Sequence, residues 1–166
     1  MNKKDVIISI RGRHFFGEYD DNGPIELVTS GELISSDKEY ILVYRESDLT
    51  GFDGAVATLM INPERVTFLR SGTVSTQMVF EEGRKHLSYY DTEDGSLLIG
   101  VQANKVRTTM NDFGGNIEME YYVEIDHALS GANHVSINVK ETGNWLAFDT
   151  KPMGTSYRKL ICSGAQ

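Results

Sequence analysis

The chain has 166 residues, of which 40% are hydrophobic, and it carries a formal net charge of -8 with an isoelectric point near 5.0. That length suits one domain whose core is large enough to need no disulfide or metal for stability. The acidic balance excludes nucleic acid and anionic membranes as expected partners, because both are bound mainly through Lys and Arg.

We expect a cytoplasmic protein. The single cysteine, Cys162, cannot form an internal bridge and fits a reducing compartment. The apolar stretch at 6–10 is interrupted by Ser9 and ended by Arg11, which makes it too short for a signal peptide. No apolar run approaches the roughly 20 residues of a membrane helix.

Short runs of alternating apolar and polar residues follow one another along the chain and predict β-strands. They are separated by turn signals such as Asn22-Gly23-Pro24, Asn62-Pro63 and Asp94-Gly95, and no amphipathic helix is predicted. The predicted strands are 5–13, 25–34, 39–46, 55–61, 65–70, 73–80, 84–90, 96–101, 105–111, 117–125 and 134–141. The Ser71-Gly72 pair indicates a tight hairpin between two of them.

An open sheet with so many hairpin-linked strands would expose unpaired backbone groups at both edges. We therefore predict an all-β fold, a closed antiparallel barrel of roughly eight to ten strands, with a two-sheet sandwich as the competing architecture. Residues 1–142 form the predicted barrel domain. Residues 143–166 have no sustained period and are interpreted as a C-terminal tail or extension, either docked through its aromatic residues or loosely ordered.

A longer pattern resembles the YwiB-like family of small bacterial proteins, a domain of unknown function with a calycin-type, lipocalin-like barrel. The resemblance covers 25–141, in which order and spacing match. It rests on Ile25-Glu26-Leu27, Thr29, Gly31, Tyr44-Arg45-Glu46-Ser47, Leu49-Thr50-Gly51, Gly54, Thr58, Val66, Arg70, Gly72, Met78, Phe80, Glu81, Gly83, Tyr90-Asp91-Thr92, Gly95, Gly115 and Tyr121.

The resemblance implies a closed barrel in a bacterial cytosol and implies no activity. Two features depart from the family pattern. Glu93-Asp94 stands where a turn containing an aromatic residue is commoner, and the segment after Gly143 is an addition. No role tied to that turn or to the C-terminus is carried over.

Alternation places two charges on faces that would line the barrel. Arg70 shares a face with Val66 and Phe68, and Glu46 shares one with Tyr44. An unpaired buried charge is costly, so each must have a partner. Arg70 could anchor a ligand carboxylate; the ion pair that pins two strands or closes one barrel end is the favoured interpretation.

The other candidate ligand-binding residues are an apolar wall and one loop hydroxyl. The wall consists of Tyr44, Phe68, Met78, Phe80 and Tyr121, which suit an adaptable pocket although each could equally fill an ordinary core. Thr50 lies in the loop 46–54, which is either a lid over the barrel mouth or a compact turn.

The sequence contains no complete catalytic or metal-binding motif, and the four histidines lie on separate segments without ligand spacing. We therefore expect no cofactor, no metal and no catalytic residue. The leading hypothesis is non-enzymatic binding of a small, partly apolar ligand, possibly a carboxylate. The alternative is a protein-interaction or homodimerisation module with a filled barrel, and an enzyme that uses the barrel mouth is a third class.

Overall fold

The computed structural model describes residues 2–16, 19–20, 23–47, 54–72 and 75–142, which contain β-strands and no helix. The strands are β1 (Asn2–Phe16), β2 (Tyr19–Asp20), β3 (Ile25–Ser35), β4 (Tyr40–Arg45), β5 (Val56–Ile61), β6 (Arg65–Ser71), β7 (Thr76–Glu81), β8 (Lys85–Thr92), β9 (Gly95–Asn111), β10 (Gly114–Ile125) and β11 (Ala128–Glu141).

Ten of these strands form one antiparallel path in the order β7-β6-β5-β4-β3-β1-β11-β10-β9-β8, and β2 pairs with β1 outside that path. The two end strands, β7 and β8, lie beside each other, so the sheet curls into a nearly closed barrel. Within the described ranges, their junction, which we call the seam, has no backbone ladder, and the isolated bridge between Glu81 and Arg84 lies in the connection between the two strands. The predicted all-β antiparallel barrel is confirmed.

The core lies inside the barrel because alternate residues of each strand point inward. The buried apolar side chains form one connected cluster to which all strands from β3 to β7 and β9 to β11, together with β1, contribute. It consists of Val6, Ile8, Leu33, Leu42, Tyr44, Ala57, Leu59, Ile61, Val66, Phe80, Val101, Ala103, Val106, Ile117, Met119, Ile137 and Val139.

Several strand predictions were wrong in their extents, among them 5–13, since β1 runs from Asn2 to Phe16. The runs 96–101 and 105–111 are one strand, β9, in which Asn104 is the extra residue of a bulge that interrupts the alternation. The run 73–80 differs at its start, since β7 begins at Thr76 and residues 73–74 lie outside the described residues. Ser71, predicted as part of a tight hairpin turn, is the last residue of β6.

Another wrong extent is that of β11, which starts at Ala128 and not at His134. Its hairpin turn is formed by Asp126 and His127, both with positive φ, of 49° and 70°. Positive φ at both central residues is typical of a type I′ turn, which usually has an Asn-Gly or Asp-Gly sequence. Neither residue is glycine, so the turn was missed.

The barrel has two unlike ends. At the base, where β4 begins, the Tyr40 hydroxyl donates a 3.4 Å hydrogen bond to Asp112 at the tip of the β9–β10 hairpin. Those elements are not neighbours in the sheet, so this contact crosses the end of the barrel. Lys4 Nζ also lies 4.0 Å above the ring of Phe113 at the same hairpin. The mouth is the opposite end, where β4 and β6 end and β7 begins.

The predicted tail at 143–166, which contains Cys162, and the loop residues 48–53 lie outside the described residues. Within the described ranges, no helix is long and apolar enough to cross a membrane.

Candidate functional site

The mouth contains an ion pair between Glu46 and Arg70. Arg70 Nε donates to Glu46 Oε2, and Arg70 Nη2 donates to Glu46 Oε1 over 2.8 Å. The side chain of Glu46 is 2% exposed and that of Arg70 is 17% exposed. Bidentate pairing of a guanidinium and a carboxylate is stronger and more directional than a single hydrogen bond.

The position of the pair follows from strand register. Glu46 extends the inward phase of β4 by one step, and its N–H donates to the carbonyl of Ala55 over 2.9 Å. Arg70 on β6 is level with Ala57 on β5, which is level with Tyr44. Because Ala57 is small and fully buried, the guanidinium can reach across β5 to the carboxylate.

Two aromatic residues adjoin the pair. The Arg70 guanidinium lies 5.0 Å from the centroid of the Phe68 ring, a cation–π distance. Tyr44 is buried, and burial together with the negative charge of Glu46 raises the pKa of its hydroxyl to about 12, against a smaller opposite effect of Arg70. The Tyr44 hydroxyl therefore stays protonated at neutral pH.

A second aromatic contact lies on the opposite wall. Phe80 on β7 and Tyr121 on β10 meet edge to face with ring centroids 4.7 Å apart. Burial raises the pKa of Tyr121 to about 12, so its hydroxyl is also a neutral hydrogen-bond donor. Met78 packs against the core from β7, level with Phe68.

Thr76 is the polar residue that sequence reasoning missed. It is level with Arg70, shares the inward phase of Met78 and Phe80, and is 9% exposed. Within the described ranges, its hydroxyl Oγ1 has no hydrogen-bond partner. The alternation of 76, 78 and 80 could have placed it inward, but its missing partner is visible only in the folded barrel.

A further polar pair was also missed. His14 Nδ1 lies 2.8 Å from Asn133 Oδ1, and both side chains are partly buried. Asn133 is level with His14 on one side and with Tyr121 on the other, so the three share a row on the inner face of the sheet. Asn133 lies in the half of β11 that the sequence did not predict.

Seven of the eight predicted site residues are described, and all seven face the interior. Glu46, Arg70, Phe68 and Tyr44 meet at the mouth, whereas Phe80 and Tyr121 pair on the far wall and Met78 lies level with Phe68. The eighth, Thr50, lies outside the described residues.

The polar groups of the site are a compensated ion pair and two protonated tyrosine hydroxyls. Both tyrosine hydroxyls have pKa values of about 12, and the Glu46 carboxylate is bound to Arg70 through both oxygens. In the described part of the chain, no group of three His, Cys, Asp or Glu side chains could hold a metal ion.

Comparison with known proteins defines the class. A family model described as a domain of unknown function (DUF1934) matches residues 8–137. The chain belongs to this family. The crystal structure of YwiB protein from Bacillus subtilis is similar to it, with a TM-score of 0.72 and 14% identity, covering 84% of this chain and 92% of that one. The predicted YwiB-like membership is confirmed, and the structural likeness supports the barrel fold. Among curated proteins, none matches the sequence.

Proposed function

We propose that this protein is a non-enzymatic cytoplasmic barrel that binds a small, partly apolar ligand at its mouth, where a ligand oxygen accepts a hydrogen bond from Thr76. The observation that carries the proposal is the Thr76 hydroxyl, which is buried and has no partner among the described residues. Leaving such a group unpaired costs about 1 to 3 kcal/mol, which a bound oxygen would offset.

The surroundings of Thr76 support a ligand with an apolar body. Phe68 and Met78 lie one inward step from Arg70 and Thr76, and both are only partly buried against the core cluster. Aromatic and Met side chains beside a few polar groups are typical of small-molecule sites.

The charge balance of the mouth favours an uncharged polar group on the ligand. Glu46 accepts hydrogen bonds from two nitrogens of Arg70, so the two charges compensate each other. A ligand carboxylate near Arg70 would also lie near the Glu46 carboxylate and would be repelled by it. An alcohol, amide or ester oxygen would bind to Thr76 without that repulsion.

Thermal unfolding in the presence of matched compounds tests the proposal. Dodecanol would be compared with dodecanoic acid, and benzamide with benzoic acid. A compound present at a hundred times its dissociation constant stabilises the folded state by about 2.7 kcal/mol. We expect the neutral member of a pair to raise the melting temperature more than the acid does.

Two variants separate the roles of the side chains. Thr76→Val removes the hydroxyl and keeps the shape, so it should abolish most of the shift. Thr67→Val, on the outer phase of the adjacent strand β6, is the control and should bind as the wild type does. If acids bind best, and Arg70→Met abolishes that binding while Thr76→Val does not, the ligand is a carboxylate anchored by Arg70 and our proposal is wrong.

A further inference from the structure

Exposed large apolar side chains are concentrated on one part of the barrel's outer surface. Leu87 and Tyr89 on β8, Tyr122 on β10 and Leu129 on β11 are 57%, 68%, 44% and 59% exposed. We call these four residues the outer patch. Single exposed apolar residues are ordinary, whereas several on adjacent strands mark an interaction surface.

Strand register shows that the patch is continuous. Leu87 is level with Gly100, which is level with Glu124 and, beyond it, Leu129. Tyr122 lies in the next row, level with Gln102 and Lys85. Tyr89 is one step from Leu87 on the same face of β8. Residues directly opposite on adjacent strands lie about 5 Å apart, so the row from Leu87 to Leu129 spans about 15 Å and the four side chains share one region of the outer surface.

The centre of the patch is a shallow depression. Gly100 provides its floor, since a Cβ there would meet Lys85 Cε, Glu124 Oε2 and Leu87 Cδ2 at 3.1 to 3.2 Å. A depression of about 260 Å³ is lined by Lys85, Gln102, Tyr122, Glu124 and Leu129. A tyrosine buries roughly 150 to 250 Å² when covered, so the patch amounts to a few hundred Å² of apolar surface.

The patch is also locally neutral. Lys85 Nζ and Glu124 Oε2 form an ion pair between the exposed apolar side chains, and both side chains are partly exposed. The chain as a whole carries a formal net charge of -8. Two copies that approach each other generally repel, but this surface offers one cation and one anion side by side.

We propose that a second copy of this chain docks on the outer patch through a two-fold axis, with Lys85 of each copy facing Glu124 of the other. A two-fold interface brings the same surface of both copies together, so it must be self-complementary. The apolar side chains of one copy can pack against the same side chains of the other. When the two copies are antiparallel, Lys85 of each copy also faces Glu124 of the other. The exposed apolar side chains flank the Lys85–Glu124 pair, so each copy would bring apolar surface and two compensating charges to the interface.

Sedimentation equilibrium of the full chain up to about 1 mM tests the proposal, because association weaker than that would not support a specific dimer. We expect a reversible monomer–dimer equilibrium. Tyr89→Ser should raise its dissociation constant at least tenfold. Phe113→Ser is the matched control, since Phe113 is 66% exposed but lies at the base of the barrel, and it should dimerise as the wild type does.

Charge reversal tests the two-fold arrangement directly. Lys85→Glu and Glu124→Lys should each be monomeric, whereas an equimolar mixture of the two variants should form a heterodimer. Circular dichroism would verify that each variant is folded. A wild-type chain that stays monomeric at all concentrations overturns the proposal, whatever else binds the patch. So does a dimer that Phe113→Ser weakens and Tyr89→Ser leaves intact, or a mixture that fails to associate.

Discussion

Glu46 and Arg70 bind each other across the end of β5, although β4 and β6 are not adjacent in the sheet. The pair therefore holds three strands in place at the mouth. Because the Glu46 side chain is 2% exposed, removal of Arg70 would leave a buried carboxylate without its main partner. Breaking one side of such a pair costs more than replacing both sides by apolar groups.

Arg70→Met should lower the free energy of unfolding by about 3 kcal/mol. The double variant Glu46→Leu/Arg70→Met should lose clearly less, because no charge is then buried alone. Urea unfolding of the wild type and of all three variants, including Glu46→Leu alone, would give the coupling energy. Additive losses would show that the two side chains act independently.

The buried tyrosines predict a loss of stability at alkaline pH. Tyr44 and Tyr121 have folded-state pKa values of about 12, whereas an unfolded tyrosine ionises near pH 10. Between about pH 10 and 12 the unfolded chain releases these protons first, so their contribution is complete below pH 10 and disappears as the pH approaches 12. Each tyrosine should contribute up to about 1.4 kcal/mol per pH unit in that range.

Urea unfolding at several pH values between 9 and 12 would measure this slope. The double variant Tyr44→Phe/Tyr121→Phe should have a smaller slope than the wild type. Equal slopes in both proteins would contradict the assignment.

The seam depends on side chains where other strand pairs have a backbone ladder. Ser88 Oγ on β8 donates to the carbonyl of Gln77 on β7 over 2.6 Å, and His86 Nε2 lies 3.0 Å from Glu81 Oε1. Ser88→Ala should speed amide hydrogen exchange in β7 and β8 about fivefold, the effect of losing about 1 kcal/mol.

Ser96→Ala is the control for the seam. Ser96 Oγ donates to Asp91 within the β8–β9 hairpin over the same distance, 2.6 Å, but does not contact β7. Exchange in β7 should be unchanged in that variant. If both variants affect β7 equally, the Ser88 hydrogen bond has no special role in closing the barrel.

Substitution of two glycines with similar φ angles would separate the cost of backbone strain from the cost of a steric clash. Gly95 and Gly115 have φ values of 124° and 147°, which only glycine adopts readily. A Cβ at Gly115 would lie 2.0 Å from the carbonyl oxygen of Thr109, whereas a Cβ at Gly95 would meet nothing within 4 Å. Gly95→Ala should cost about 1 to 3 kcal/mol through strain alone. Gly115→Ala should cost more or prevent folding, as thermal unfolding would show.

The alternation of apolar and polar residues predicted the strands, because alternation depends only on local sequence. The inward set Ile117, Met119 and Tyr121 was predicted correctly on β10, because the extra residues of the two bulges beside it lie on β9 and β11. The alternation failed to predict one continuous β9, because the extra residue Asn104 reverses which face the following side chains occupy. It also missed the part of β11 before His134, because Ser130 and Gly131 have little preference for strands.

The candidate site was predictable only in part, for a similar reason. Strand phase placed Glu46 and Arg70 inside, and the cost of an unpaired charge required each to have a partner. Which partner each takes depends on how the strands curl, as does the isolation of the Thr76 hydroxyl. These contacts depend on residues that are distant in sequence, so no local sequence pattern predicts them.

The order of the strands constrains how this chain is made. β1 pairs with β11 from Val6 opposite Glu141 to Phe15 opposite Ala132, so β1 is synthesised before all the other described strands and yet must wait for β11. Until synthesis reaches β11, the free edge of β1 is open to aggregation, and the barrel cannot close around its core. Contacts that span nearly the whole barrel also predict slow folding.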